Sequence, residues 1–264
     1  MKQSIIINAD DYGRSVSINE AIRSSFEQRI ISDTSIMVTC REGLEDLYDS
    51  RNLECLHGAA GCHLTLTLGS PVTSMESNLP FIDENGLFKD LSCWSFKPYT
   101  FSKAEKQIIY NEFMAQIDIV RNKLGLSISH LDSHQHIHMR LDLLPIVVKV
   151  CRDAKIPYLR IPSRAKSLSL KSKIATWIKA RYIQFHRIRI VDFFGSTDQI
   201  ITSVKPSMKT IELMCHPMYN TKKEIIDKVR GNVADDCTLL KNELFPLKDI
   251  PLIKHNQLLH LWKK

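Results

Sequence analysis

Short apolar runs alternate with amphipathic segments along most of this chain. Residues 3–8, centred on Ile5-Ile6-Ile7, read as a buried strand, and Ser17 to Arg29 reads as a helix with Ile18, Ala21, Ile22, Ser25 and Phe26 on one side. Thr34 to Thr39 is strand-like and leads to a short helix near residues 42–50, and Gly58 to Thr67 contains a third strand. Ser102 and Glu105 have the spacing of a capping box, opening a helix that runs to about Lys123 and ends at Gly125. Beyond it the pattern predicts a strand over Ile128 to Asp132, a helix over Leu141 to Ala154 and a strand over Pro157 to Ile161. A further helix follows, then strands near Arg189 to Phe193 and over Thr210 to Cys215, while Leu247 to His260 is mixed in character. Repeated strand–helix units predict an α/β fold: a mostly parallel sheet with outer helices, one domain over residues 1–264, closed or partly closed as a barrel. Residues 69–100 hold much of the Gly, Pro, Ser and Asn and predict a long excursion, a kind of loop that is usually functional or disordered.

Composition sharpens this picture in two places. A length of 264 residues suits one α/β barrel, and 44% hydrophobic with 25% charged residues is globular. No apolar run approaches a membrane span, no long apolar segment with a small-residue cleavage site opens the chain, and the seven cysteines contain no C-x-x-C pair. The expectation is a cytoplasmic protein with reduced thiols. The net charge of +7 is uneven: ten Lys and Arg and no acidic residue lie between Ala154 and Val191. Within that stretch Leu170, Ile174, Trp177, Ile178, Phe185 and Ile188 recur at roughly helical spacing, which predicts a basic amphipathic helix. Its ordinary reading is a helix packed on the core with a solvated basic face. The alternative is peripheral contact with an anionic membrane, a lipid-linked glycan or another anionic partner. Nucleic acid is not an expected partner, because no recognised motif or aromatic stacking pattern accompanies the charge.

The densest chemistry lies in His130-Leu131-Asp132-Ser133-His134-Gln135-His136-Ile137-His138, which holds four of the ten histidines in nine residues. In an extended strand His130, Asp132, His134, His136 and His138 share one side; in a helix His130, His134 and His138 do. Either geometry converges imidazoles and a carboxylate, as a divalent metal requires. A solvated His-rich loop is the plainer reading. Other polar clusters also follow predicted strands: Asp10 and Asp11 after the first, His63 in the third, and His216 after Cys215. Taken singly, Asp10-Asp11 before Gly13 reads equally as turn chemistry, and His63 as a structural histidine. In parallel α/β folds the carboxyl ends of strands form the active face, so such residues can meet in one pocket.

These segments also carry a resemblance. Asn8-Ala9-Asp10-Asp11-Tyr12-Gly13 resembles the N-A-D-D-F/Y-G opening of the YdjC-like carbohydrate deacetylases, the group that includes chitooligosaccharide deacetylase. Gly61-Cys62-His63-Leu64-Thr65-Leu66-Thr67 resembles their G-x-H-x-x-L-T element, and residues 130–138 resemble their H-x-D-S-H-x-H-x-H signature. Glu212-Leu213-Met214-Cys215-His216-Pro217 is similar to their E-L/V-M-C-H-P element, whereas nothing after about residue 220 matches a motif. The resemblance implies a divergent (β/α) barrel and a metal-dependent hydrolase that removes N-acetyl groups from sugars or oligosaccharides; a lipid-linked sugar is suggested by the basic stretch at 155–189, not by the motifs. It implies Asp11, His63 and His134 as metal ligands, Asp10 as general base and His216 as general acid. It also implies a homodimer.

Two imidazoles and one carboxylate suit one divalent metal ion, zinc most naturally; iron, cobalt or manganese bind the same set, and magnesium less naturally. His130, Asp132, His136 and His138 are then expected to orient ligands or touch sugar. Tyr12, Arg160, Arg164, Trp94 and Phe96 are candidate substrate contacts, with core packing the plainer reading for the aromatics. Two rival readings use the same residues: a metal-dependent phosphoesterase, which often carries two metals about 3.5–4 Å apart, and a sugar-binding protein without catalysis.

Overall fold

The computed structural model describes residues 3–75, 79–94, 99–161, 169–196, 199, 203–227 and 250–261. Seven strands form one sheet: β1 (Ser4–Tyr12), β2 (Asp33–Ile36), β3 (Ala59–Leu64), β4 (Ser127–Ser133), β5 (Tyr158–Leu159), β6 (Phe193–Gly195) and β7 (Thr210–Cys215). Their order is β5-β4-β3-β2-β1-β7-β6, and every pairing is parallel. All nine residues of β1 are buried, as expected where helices cover a parallel sheet. The sheet curls until its edges share a neighbour. Arg189 makes a parallel bridge to Tyr158 of β5, and four residues later Phe193 is paired with β7. The stretch 189–195 thus contains one edge strand, β6, and bridges to the other, β5, and the expected partly closed barrel is present.

Helices α1 (Val16–Glu27), α2 (Arg41–Leu47), α3 (Lys103–Asp118), α4 (Leu144–Asp153), α5 (Leu170–Phe185) and α6 (His255–Leu261) surround the strands. The capping box is formed at α3, with the Ser102 hydroxyl accepting from the Glu105 N–H and the Glu105 carboxylate accepting from the Ser102 N–H. The first part of the long excursion is tied to the same helix. Buried Glu112 accepts from the backbone N–H groups of Val72 and Thr73 at 3.0 and 2.9 Å. A hairpin of β8 (Pro217–Tyr219) and β9 (Ile225–Asp227) follows β7 and carries no strong signal in the sequence. The mixed tail returns beneath β1, where Leu252 bridges Ile5, and then starts α6.

The helix at 170–185 is where expectation and structure part. Its core-facing residues are Thr176, Ala180 and Ile183, while Leu170, Ile174, Trp177, Ile178 and Phe185 are exposed. Of the predicted apolar set only Ile188, beyond the helix, is buried. Among the described residues no helix is long and apolar enough to cross a membrane.

The barrel interior is unusual in being polar. Ordinary parallel barrels fill it with branched aliphatic side chains. Here Asp10, Ser35, His63, Asp132 and Arg160 are buried against one another near the strand ends, Asp33, His130 and His255 are grouped toward the strand starts, and Glu212 lies between, against both Arg160 and His255. Buried charges of this kind persist only when paired and hydrogen-bonded.

Candidate active site

Two neighbouring aspartates reach the same mouth because the first strand breaks its own alternation. In a regular strand Asp10 and Asp11 would point to opposite faces. Ala9 pairs with Thr34 and Tyr12 with Ile36, so three steps on β1 span two on β2, and Asp11 takes a left-handed φ of 73°. This added residue re-aims a side chain at a sheet rim, as bulges do near functional sites. Gly13 completes the turn at φ 99°, where a Cβ would stand 2.1 Å from the Met37 carbonyl oxygen.

β3 supplies His63 and β4 supplies Asp132. β4 then stops at Ser133, and a short helical turn (His134–Met139) begins, with Gln135 and His136 at φ 53° and 55°. The single-face reading of residues 130–138 therefore fails beyond Ser133. The turn brings His134 Nδ1 to 3.0 Å from Asp11 Oδ1, and His63 Nε2 lies 3.4 Å from that same oxygen. Ligand atoms of Asp11, His63 and His134 all fall within 4.8 Å of one another. The other His63 nitrogen, Nδ1, is 2.8 Å from Asp132 Oδ1. A proton held on Nδ1 by that carboxylate leaves the Nε2 lone pair facing Asp11, an arrangement common to metal-ligating histidines. Arg14 binds the remaining Asp11 oxygen at 2.7 Å, fixing the carboxylate from outside. Burial works to lower the His63 pKa, but Asp132 and Asp10 outweigh it and raise it to about 10. The pocket thus favours an added positive charge. Donor types, facing lone pairs and electrostatics all fit a divalent cation.

Arg160 organises the rest. Its guanidinium meets Asp10 at 2.7 and 2.8 Å, Asp132 at 2.7 Å and Glu212 at 2.7 Å, and it stacks 4.8 Å from the Phe194 ring. Burial raises the Asp10 pKa, yet the charge of Arg160 prevails and holds the carboxyl well below its usual range. Asp10, His63 and Asp132 also group closely enough for a second ion, but Arg160 already neutralises both carboxylates there. That disfavours a two-metal centre.

His216 follows β7 with Nε2 3.9 Å from Asp10 Oδ2 and Nδ1 3.6 Å from Asp227 Oδ1 on β9. Burial pulls its pKa down, but the nearby Asp227 carboxylate and the charges of Asp10 and Asp11 raise it overall.

The remaining predicted residues divide differently. Arg160 is fully buried among carboxylates and does not face substrate. Tyr12 turns outward and donates to the Asn52 carbonyl, away from the mouth. His130 stacks on His255 at 3.7 Å, in the group nearer the strand starts. His138 lies between Ser133 Oγ at 2.5 Å and the Arg160 carbonyl at 3.2 Å, and burial holds its pKa well below the ordinary histidine value. His136 packs edge-on to Phe194, and burial lowers its pKa to about 4. Both rings are held neutral; His138 is fully buried, whereas His136 keeps partial exposure within reach of the charges of Asp10 and His216. Trp94 stacks on buried Phe81 at 6.0 Å, while Phe96 and Arg164 lie outside the described residues.

Sequence reasoning gave no role to Ser35, Glu212, Asp227 or His255. Ser35 donates to Asp132 at 2.8 Å, and His255 reaches Glu212 at 3.6 Å and Asp33 at 3.0 Å. Glu212 did carry a signal, as a lone acid inside an apolar strand. Asp227 and His255 carried none, because only the tertiary fold brings them inward.

The family model described as YdjC-like protein matches residues 4–246. A carbohydrate deacetylase of Vibrio parahaemolyticus is 28% identical over 221 residues, covering 81% of this chain and 78% of that protein. A chitooligosaccharide deacetylase of Yersinia enterocolitica is 28% identical over 230 residues, covering 84% of each. Among solved structures, a putative cellobiose-phosphate cleavage protein from Enterococcus faecalis superposes with a TM-score of 0.73 at 23% identity, over 98% of this chain and 99% of that one. That last likeness supports the fold alone.

Proposed function

Since the chain belongs to the YdjC-like family, we propose that it is a carbohydrate deacetylase, a metal-dependent hydrolase that removes the acetyl group from an N-acetylated sugar or oligosaccharide. The observation that carries this reading is the facing of His63 Nε2 and His134 Nδ1 onto one Asp11 oxygen, with Asp10 and His216 alongside.

Asp11, His63 and His134 would hold one divalent ion, with zinc the most natural for two imidazoles and a carboxylate. Such an ion supplies two things an acetamide needs, a polarised carbonyl and an acidified water. Asp10 takes the proton from the attacking water. Arg160 keeps Asp10 ionised and fixes the direction of its oxygens, at the cost of weakening it as a base. His216, whose protonated form its acidic neighbours favour, gives a proton to the departing amine nitrogen. The C–N bond breaks, water oxygen enters the carboxyl group, and acetate and a free amino sugar leave. Asp132 and Ser35 orient His63 from behind.

A phosphoesterase with paired metals fits less well, because Arg160 stands where the second ion would be. The test is acetate release from a panel of N-acetylated oligosaccharides, with metal-loaded wild type beside His134→Ala. Release by the wild type alone supports the reading. No release from any sugar by protein holding one metal per chain would overturn it.

A further inference from the structure

Helix α5 presents its apolar side outward. Five of the ten large hydrophobics exposed among the described residues lie on this one helix: Leu170 (75%), Ile174 (51%), Trp177 (64%), Ile178 (54%) and Phe185 (82%). Their spacing of four, three, one and seven residues places them in a single stripe. The helix is held to the barrel by the other side, through Thr176, Ala180 and Ile183. Scattered exposed apolar residues are ordinary, but a continuous stripe of this size marks an interaction surface.

The charge around the stripe identifies what it meets. Exposed Arg181 lies within it, exposed Lys171 follows Leu170, and exposed Arg187 follows Phe185. Beyond the helix an open groove of about 650 Å³ is lined by Arg181, Phe185, Arg187 and Ile188 among others, placing cations beside apolar surface. No acidic residue occurs between Ala154 and Val191 to offset them. A second copy of the chain, meeting α5 by two-fold symmetry, would set these cations against themselves. A nucleic acid would leave the apolar stripe wet. An anionic bilayer satisfies both halves: phosphate headgroups for the cations and acyl surface for Leu170, Trp177 and Phe185.

We propose that the outward stripe of α5, with the cations beside it, docks this protein on the surface of an anionic lipid bilayer. The helix lies along the surface rather than through it, since 16 residues span only about 24 Å. In a parallel strand–helix unit the helix starts on the face where the strands end, so α5 begins on the active-site side of the barrel. Docking there would hold the mouth near substrates carried at the membrane.

The test is co-sedimentation of the full chain with vesicles of phosphatidylcholine alone, and of phosphatidylcholine with about a third phosphatidylglycerol. The expected result is at least about tenfold stronger partition onto the anionic vesicles, weakened by raised salt, with a blue shift of Trp177 emission. Trp177→Ser with Phe185→Ser, and separately Arg181→Glu with Arg187→Glu, should each lower that partition about tenfold or more while leaving circular dichroism and acetate release from a soluble sugar unchanged. Leu141→Ser, at an exposed position elsewhere, should bind as wild type does. Equal recovery in the supernatant with both vesicles, or binding that the α5 variants do not weaken, would overturn the proposal. So would a dimer in sedimentation velocity that dissociates on Trp177→Ser, because a second copy would then cover the stripe.

Discussion

The barrel holds two groups of the same composition. Asp11, His63 and His134 lie where the strands end, and Asp33, His130 and His255 lie toward the strand starts, each with ligand atoms within 4.8 Å. They differ in what the nitrogens face. In the first group His63 Nε2 and His134 Nδ1 turn toward one carboxylate oxygen, and His134 keeps 13% of its side chain exposed. In the second the rings lie stacked, 22° from parallel, so their lone pairs do not converge. His130 Nε2 is pressed against Gly61, where a Cβ would come within 2.3 Å, and both His255 nitrogens already face Asp33 and Glu212. Proximity of ligating residue types nominates a site; lone-pair direction and room for an ion decide it.

The widest separation between the two groups should come from removing a ligand. His63→Ala should abolish metal retention, read as metal content per chain, and lower acetate release by about a thousandfold or more, beyond the 10–100-fold that loss of an outer partner causes. His130→Gln should keep full metal content. The next effect concerns the second group. Burial lowers the His255 pKa, but Asp33 and Glu212 raise it to about 9 from 6.5, so the folded protein binds this proton more tightly than the unfolded chain. Its contribution to stability, up to about 3 kcal/mol, should be full below about pH 6.5 and disappear as pH rises through about 9. Urea melts across that range should show the decline, and His255→Gln should reduce it, leaving the share that His63 contributes.

Asp132→Asn should weaken metal affinity by about 10–100-fold in chelator competition, since His63 would lose the acceptor that sets its tautomer. Gly61→Ala should be the mildest, costing about 1–3 kcal/mol of stability by forcing a methyl into the His130 ring. Adding His130→Ser should restore most of that loss, with metal content unchanged throughout. If Gly61→Ala emptied the metal site instead, the two groups would be coupled and the contrast drawn here would fail.

Much of this was legible in the residues. Apolar runs located the strands because buried parallel strands need little else, and Thr210 to Cys215 matches its strand end to end. The motifs named Asp11, His63 and His134, and the fold gathers them. Other features could not be read. Strand alternation predicts that His130 and Asp132 face the same way, but not that one settles against His255 while the other reaches His63 and Arg160. Arg160 looked like a substrate contact because isolated arginines usually face water, and only the assembled interior shows three carboxylates around it. The pattern at 170–185 announced an amphipathic helix yet carried no sign of which side the barrel would take. There the smaller Thr176, Ala180 and Ile183 face the barrel, and the bulky residues face out.

The left-handed residue at Asp11 makes counting as important as chemistry in the first strand. A strand has a parity: even positions look one way and odd positions the other, and the sheet enforces it. Between Ala9 and Tyr12 this chain changes parity once. Deleting a single residue there would remove the change while conserving every other side chain, and one of the two carboxylate functions would end on the wrong side of the sheet. A small loop on the surface absorbs insertions and deletions easily. This segment, although it resembles a turn in composition, tolerates neither, and its length is as much a part of the active site as Asp10 and Asp11.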